Sequence, residues 1–484
     1  GAAGKPQQAR LTSLRLQLTE PLLGPDPWRL ALTEPVLLSW ASPARSDWNV
    51  GAGALTITTS AAPETRATLR WGALTHARGH WSSSGELTGL PMQWAMRVLG
   101  TAAQARGLTS DVLLGGSWNF AFSDTLQLKA QLERTSGDLA LHASAGGDKP
   151  QARIAAGLQQ ARATLTSDGR DIDLQLLWDS THAGRLSGEL HSPLMATNDA
   201  QGQRHWSWPD NAPLSGQLRA RLPEIAAWSA LAPLGWRLSG SLAVDVAVSG
   251  TRAAPQLAGT ATADDLALRS IIDGIELTQG RLHARFADTR LVIEELSLRG
   301  TGKDGGALRA NGEAGWIDGR LRAHLAATLN GLRTSLRSDR DIAVSGQLQA
   351  ELQDKALNAS GQLHIDHARI ELPDESRPTL GSDVIVPSSH PPPGDAGQAR
   401  ESAAPASWTA QVDVGIDLGD DFRVSGMGAD TLLTGQLRLS ARGPLTQAPQ
   451  LTGLVQTRRG RFRAYGQDLD ITRGYIRFTG EIDN

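Results

Sequence analysis

Hydrophobic and polar residues alternate with a period of two along almost the whole chain. Leu14, Leu16 and Leu18 are separated by Arg15 and Gln17. Leu126, Leu128, Ala130 and Leu132 alternate with Gln127, Lys129, Gln131 and Glu133, and Leu242, Val244, Val246 and Val248 with Ala243, Asp245, Ala247 and Ser249. Val412, Val414, Ile416 and Leu418 repeat the scheme, as do Leu437, Leu439 and Ala441. Successive side chains of a strand point to opposite faces, so each segment predicts a strand with one apolar and one polar face. Glycine-containing turn signals arrive every ~8 to 14 residues, the spacing expected of an all-β chain.

One pattern is used twice. PQLAGTATADDLAL from Pro255 matches PQLTGLVQTRRGRF from Pro449, and IELTQGRLHARF from Ile275 matches LDITRGYIRFTG from Leu469. The copies align without a gap: Pro255 with Pro449, Leu257 with Leu451, Gly259 with Gly453, Thr278 with Thr472, Gly280 with Gly474. Repetition at this scale predicts one β-supersecondary unit reused along an elongated body. Such a body is more often a surface or a conduit than a catalyst.

Three stretches depart from the alternation. Pro91 to Ala105 has helical spacing, with Pro91 suited to a first-turn position. Leu222 to Leu234 is expected to form a short helix turning Ile225, Trp228 and Leu231 inward. Residues 374–408, containing SSHPPPGDAGQARESAAPAS, are too poor in apolar side chains to order themselves and are read as a disordered loop.

The number of strands decides what the apolar face has to do. Some ~35 to 40 strands at ~4.8 Å each would stack to ~150–190 Å. An apolar face of that length has to close on itself, pack on a second layer or line something apolar. The sequence offers no matching set of amphipathic helices to cover it. The pattern leaves two arrangements open, a dry sandwich core and a curled sheet sheltering acyl chains.

Composition narrows the partners. The net charge is −3, which removes the electrostatic case for nucleic acid. Only Lys5, Lys129, Lys149, Lys303 and Lys355 are lysines, and the accompanying Arg and Ala excess reflects a GC-rich genome rather than an anion site. Cysteine is absent, which excludes disulfides, zinc–thiolate sites and thiol catalysis and fits an oxidising compartment. No run reaches the ~18 apolar residues of a spanning helix, and no signal peptide opens the chain. An arbitrary start at Gly1–Gln8 and an end inside a patterned strand region suggest a piece of a longer protein whose anchor lies outside it.

Candidate chemistry is sparse. Gly300-Thr-Gly-Lys-Asp-Gly305 spells GxGxxG, but no helix is expected after it and Asp304 follows Lys303, so it reads as a turn. His364, Asp366 and His367 form the densest His/Asp group, with His367 expected on the opposite face, which argues against three-point metal ligation. Glu294 and Glu295 are expected to face opposite ways and so not to pair as acid and base. No GxSxG elbow is present. Trp118, Trp206, Trp208, Trp228, Trp236 and Trp316 read as packing at sheet ends, with membrane-interface anchoring as the alternative. Arg459, Arg461 and Arg463 alternate on one face and suit either lipid headgroups, an acidic partner or solvent. Tyr465 with Gly466 reads as a bend or bulge. No catalytic residue, cofactor or metal is expected.

FRVSGMG from Phe422, PQLTG from Pro449 and RGRFRAYGQDLDITRGYIRFTG from Arg459 resemble the C-terminal domain of the TamB family, the inner-membrane-anchored component of the translocation and assembly module. The positions that carry it are Gly453, Arg459, Gly460, Tyr465, Gly466, Gln467, Leu469, Ile471, Gly474, Ile476, Phe478 and Gly480. LGGSWNF from Leu114, SGDLAL from Ser136, the run from Ala212 to Gly240 and IELPDESRPTLGSDVIV from Ile370 look like the family's middle region. The resemblance covers most of the chain from about Gly85. It implies an elongated, curled β-sheet, a β-taco or groove with an apolar interior, standing in the periplasm and carrying phospholipid between inner and outer membranes. It also implies ties to outer-membrane protein assembly through an outer-membrane barrel partner of the TamA type. The family's N-terminal anchor and its continuation beyond Phe478 have no counterpart in this sequence. With the resemblance, the expected segments are 1–84, a weakly matched β segment; 85–211, β-sheet with a short helix near 91–105; 212–373, groove repeats; 374–408, the loop; and 409–484, the start of a truncated TamB-like C-terminal domain. Leu126, Leu128, Leu132, Leu242, Val244, Val246, Val248, Leu291, Ile293, Leu437, Leu439, Ile471 and Ile476 are the candidates for groove lining, with phospholipid as a transported ligand. Gly453, Gly460, Tyr465, Gly466, Gly474 and Gly480 are expected to be structural. Two rival readings are a scaffold that offers a sheet edge to outer-membrane proteins and a secreted β-solenoid adhesin with a closed core.

Overall fold

Each alternating segment falls on a strand, and the protein is all-β. The structure, a computed structural model, describes all residues except 1–6, 20–26, 41–46, 61, 95–107, 124, 144–151, 199–203, 227, 229–235, 271–274, 303, 318–319, 334–338, 373–408, 445–448, 465 and 482–484. The loop expected at 374–408 therefore lies outside the described residues. The sequence period of two is met by cross-strand pairing. In Trp236–Gly250, Leu242, Val244, Val246 and Val248 lie opposite Leu222, Ala220, Leu218 and Gly216 of Ser215–Leu222. Opposed residues share a face, so the apolar row of one strand continues onto the next.

The chain divides into two units, Gly1–Leu266 with His283–Thr289, and Ala267–Leu282 with Arg290–Asn484. In the first, His80–Pro91, Leu113–Phe122, Leu126–Ser136, Leu158–Asp168, Asp171–Ser180, Gly184–Pro193, Ser215–Leu222 and Trp236–Gly250 pair antiparallel in that order. The other edge of His80–Pro91 meets two strands end to end, Leu74–Ala77 and Ala62–Trp71. Trp48–Val50, Val36–Trp40 and Gln7–Leu11 continue one branch, and Gly53–Thr59, Trp28–Leu32 and Arg15–Leu18 the other. Val112, Leu114, Leu139, Ala156, Leu158 and Ala183 form a buried cluster, beside bulges at Leu113/Leu114 and Leu158/Gln160.

Only the first residues of the two expected helices are described. Pro91 ends a strand, and Met92–Trp94 make one helical turn that seats Trp94 edge-on against Trp28, ring centroids 4.9 Å apart. Leu222 ends a strand as well. Ile225 and Trp228 lie in a short 3₁₀ turn, and Trp228 packs on the buried cluster. Strand pairing removes Pro91 and Leu222 from any helix because their neighbours already have ladder partners. Leu231 and residues 95–105 lie outside the described residues.

In the second unit, Arg290–Arg299, Ala307–Ile317, Arg320–Arg333, Arg340–Gln353 and Ala356–Glu371 pair antiparallel. The next step is parallel. Ala356–Glu371 pairs with Thr409–Asp417 along its first part and with Phe422–Gly426 along its last. Ala429–Pro444 then spans both, followed by Gln450–Ala464, which carries Gln467–Ile471 and Tyr475–Glu481 end to end.

Irregularities line up across consecutive strands of this unit. They are the bulges at Leu329/Leu332, Ala343/Val344 and Leu432/Leu433, with the break Leu418–Asp421 between two strands. A bulge bends its strand and raises its twist, so a row of bulges creases a sheet. The buried cluster lies along this crease: Leu332, Val344, Ile365, Ala368, Leu418 and Val455, with Leu433 and Phe478 packed against it.

Candidate functional site: the apolar face of the sheet

Away from the crease the apolar face is only half-buried. In the second unit one lateral row runs Leu348, Gly361, Val414, Leu439, Leu451, Gly480, and the next runs Gly346, Leu363, Ile416, Leu437, Gly453, Phe478, each residue opposite the one before. Leu291 and Ile293 join the same face through Ala314 and Gly312. Ile476 lies opposite Val455 and Ile471 opposite Gly460. In the first unit Leu132, Ala163, Leu176, Gly188, Leu218 and Val246 make a continuous row, and Leu126 and Leu128 lie opposite Phe122 and Phe120. The thirteen aliphatic positions named from sequence therefore share the apolar face within each unit. Their depth differs. Val246 is 3% exposed and Ile476 54%; Leu437 and Leu439 are half-buried.

Glycines in these rows leave room for the leucines and for the neighbouring backbone. Gly453 has φ 138° and its repeat counterpart Gly259 φ 156°. A Cβ at either would collide with the carbonyl oxygen of the adjacent strand, Gln436 or Asp245. Gly466 has φ 73° in the turn before Gln467–Ile471. Gly460 and Gly474 pack beside Thr431 and Thr457, whereas Gly480 faces open space. Tyr465 lies outside the described residues.

The opposite face is laced by ion pairs. Arg438 Nε donates to Asp413 Oδ1 at 2.6 Å, and Arg423 Nε to Asp430 Oδ1 at 2.7 Å. These guanidinium hydrogen bonds hold Asp413 and Asp430 below the usual carboxylate range. Arg461 lies 3.7 Å from Asp470 and Arg463 3.3 Å from Asp468, so two of the three alternating arginines are engaged by the next strand. In the first unit, His191 Nδ1 is 2.8 Å from Asp173 Oδ1, which raises the imidazole pKa. A polar concavity of about 1090 Å³ also opens on this face of the second unit, around Gly415, Gln347, Gln362, Asp413 and Arg438. Sequence reading did not single it out; its one signal is Gly415 standing among polar neighbours.

The bulges correct two expectations. Glu294 and Glu295 both project outward, because the bulge at Ile293/Leu296 sets two residues against one. Likewise the bulge at Ala343/Val344 places Ile365 and Ala368, three apart, both in the core. His364 and His367 then take separate partners, Asp417 at 3.4 Å and Asp421 at 2.7 Å. Gly300–Gly305 leads into the strand Ala307–Ile317, which fits a turn. Trp118 and Trp208 donate to Ser83 Oγ at 3.0 Å and Ser192 Oγ at 2.8 Å. Trp316 is exposed, Trp236 half-buried, and the Trp206 side chain is outside the described set.

The model of the TamB C-terminal domain matches residues 275–484, starting at the first residue of the strand Ile275–Asp288. The C-terminal part of the chain is similar to the TamB family. A curated relative, the translocation and assembly module subunit TamB of Haemophilus influenzae, is 26% identical over 328 residues. That alignment covers 66% of this chain and 24% of the relative, so the chain spans about a quarter of that TamB's length. No solved structure matches it.

Proposed function

We propose that the apolar face carries phospholipid acyl chains through the periplasm, between inner and outer membranes, with headgroups kept near the open margin. The observation that carries this reading is the contrast in burial across one face. Residues along the crease are enclosed, while Leu437, Leu439, Leu363 and Leu348 remain half-exposed over many strands. A dry sandwich would cover those rows with a second layer. Transfer along such a face is non-enzymatic and needs no cofactor. Sheltering a methylene gives ~0.8 kcal/mol, and neighbouring rows are nearly equal in energy, so a chain can slide. The similarity to a translocation and assembly module subunit favours the same setting, in which an outer-membrane barrel of the TamA type would be the partner and outer-membrane proteins the assembled clients.

The test is crosslinking in cells with a photoreactive residue at Leu439 and, as control, at Arg438, which faces the other way toward Asp413. Labelled phospholipid is expected at 439 and not at 438. Capture of neither, with protein partners trapped at 438, would replace this reading with the scaffold. The scaffold has one observation of its own: Tyr475–Glu481 pairs with Gln450–Ala464 on one side, and no described strand pairs on the other. Tyr475 and Ile476 are exposed there.

A further inference from the structure

In the first unit six residues from six strands stand in one lateral row: Trp40, Trp48, His76, Trp81, Phe122 and Leu126. The rings touch. Trp48 and His76 stack with centroids 5.8 Å apart, Trp48 meets Trp81 edge-on at 5.3 Å, and His76 meets Trp81 at 4.6 Å. Both Trp40 and Trp81 stay 39% exposed. The Trp40 indole N–H donates to Gln7 Oε1 at 2.9 Å.

The surroundings are ordered by depth. Beyond the row lie Asp47 and the Arg78–Gly79 turn, where the Arg78 amide donates to Asp47 Oδ1 at 2.9 Å. One step inward on the same face come Leu38, Val50 and Leu74, with Phe120 and Leu128, all half-buried. A further step in, Val36 is buried. Charge, then indole, then aliphatic side chain is the sequence of chemistry met on passing from lipid headgroups into hydrocarbon. Stacking across strands would explain the ring contacts alone. It would not require two indoles to stay exposed, nor aliphatic rows to follow them half-open.

We infer that this aromatic row seats the glycerol–headgroup boundary of a phospholipid whose acyl chains lie inward along the apolar face. The inference rests on the lipid-carrying reading above and adds to it where, and in which orientation, the lipid lies on this unit. Indole suits the place because it combines an apolar body, an N–H donor and a π face that attracts ammonium groups.

The experiment exposes the full chain to vesicles of phosphatidylethanolamine and phosphatidylglycerol. These carry a phosphatidylethanolamine probe with a diazirine either on the headgroup or at the acyl terminus. Headgroup adducts are expected on peptides covering residues 36–50 and 74–82, and acyl adducts on the Leu126–Ser136 and Leu158–Asp168 strands. The double variant Trp40→Gln/Trp81→Gln, at exposed positions, should lower headgroup adducts about fivefold or more and leave acyl adducts unchanged. Headgroup adducts elsewhere, with acyl adducts still on the apolar rows, would overturn the aromatic seat and leave the lipid reading standing. An unchanged headgroup yield in the double variant would do the same. Absence of adducts from both probes would remove both readings. A dimer in sedimentation that the double variant abolishes, with no lipid adduct, would assign the row to a second copy instead.

Discussion

The glycines of the repeated motif do unequal work. Gly453→Val places a side chain against the Gln436 carbonyl in a backbone that L residues rarely adopt. It should cost about 2 kcal/mol or more. Gly480→Ala, at a site where a Cβ meets nothing within 4 Å, should stay within about 0.5 kcal/mol. Urea midpoints of the two variants would check this. The sequence singled out both residues with equal weight because a motif records identity and not what a glycine touches. Titration is also a matter of single residues. His191 is raised above its ordinary 6.5 by Asp173, with Asp171 and Asp168 adding to it. The stabilisation is therefore complete below 6.5 and fades as pH rises through the higher folded value. His191→Gln should flatten that loss in urea melts taken from pH 6 to 8. Asp413 and Asp430, held low by Arg438 and Arg423, act in the opposite sense. Their contribution is present above the ordinary carboxylate pKa and disappears as pH falls through the depressed values, so Asp430→Asn should blunt acid destabilisation.

At the level of strands, alternation was enough to place every proposed lining residue on the apolar face, because a period of two leaves no other choice once a neighbour fixes the register. It could not reveal depth. Val246 and Leu439 look alike in sequence, yet Val246 is enclosed and Leu439 half-open. Leu439→Arg should keep the far-UV circular dichroism of the parent and lose lipid capture. Val246→Arg should instead reduce β content or yield, since a buried unpaired charge is paid for by unfolding. Bulges were the second hidden feature. Each inserts one residue without a distinctive sequence, so Glu294 with Glu295 and His367 fell on faces that strict alternation does not give.

Across the whole molecule the all-β character was legible from residues, as was the TamB likeness of the C-terminal part, and the crease was not. Leu332, Ala368, Leu418 and Val455 look like ordinary members of alternating segments or their ends. They become a core only because bulges on separate strands fall side by side. Hydrogen exchange should report that arrangement. Amides near Leu332, Val344 and Ile365 are expected to exchange slowest in the second unit, and those of Tyr475–Glu481 fastest. Uniform protection across these strands would contradict an enclosed crease beside an open face.

The parallel step at Ala356–Glu371 carries a consequence of its own. A hairpin turns back on the spot, but a parallel neighbour has to begin where its partner began. Glu371 and Thr409, the ends of the link, therefore stand a strand length of about 50 Å apart, a distance that roughly 15 residues of fully extended chain can span. Progressive deletion within 374–408 thus becomes a molecular ruler. Shortening should be tolerated down to that length and then abruptly uncouple Thr409–Asp417 from the sheet, giving a threshold rather than a slope.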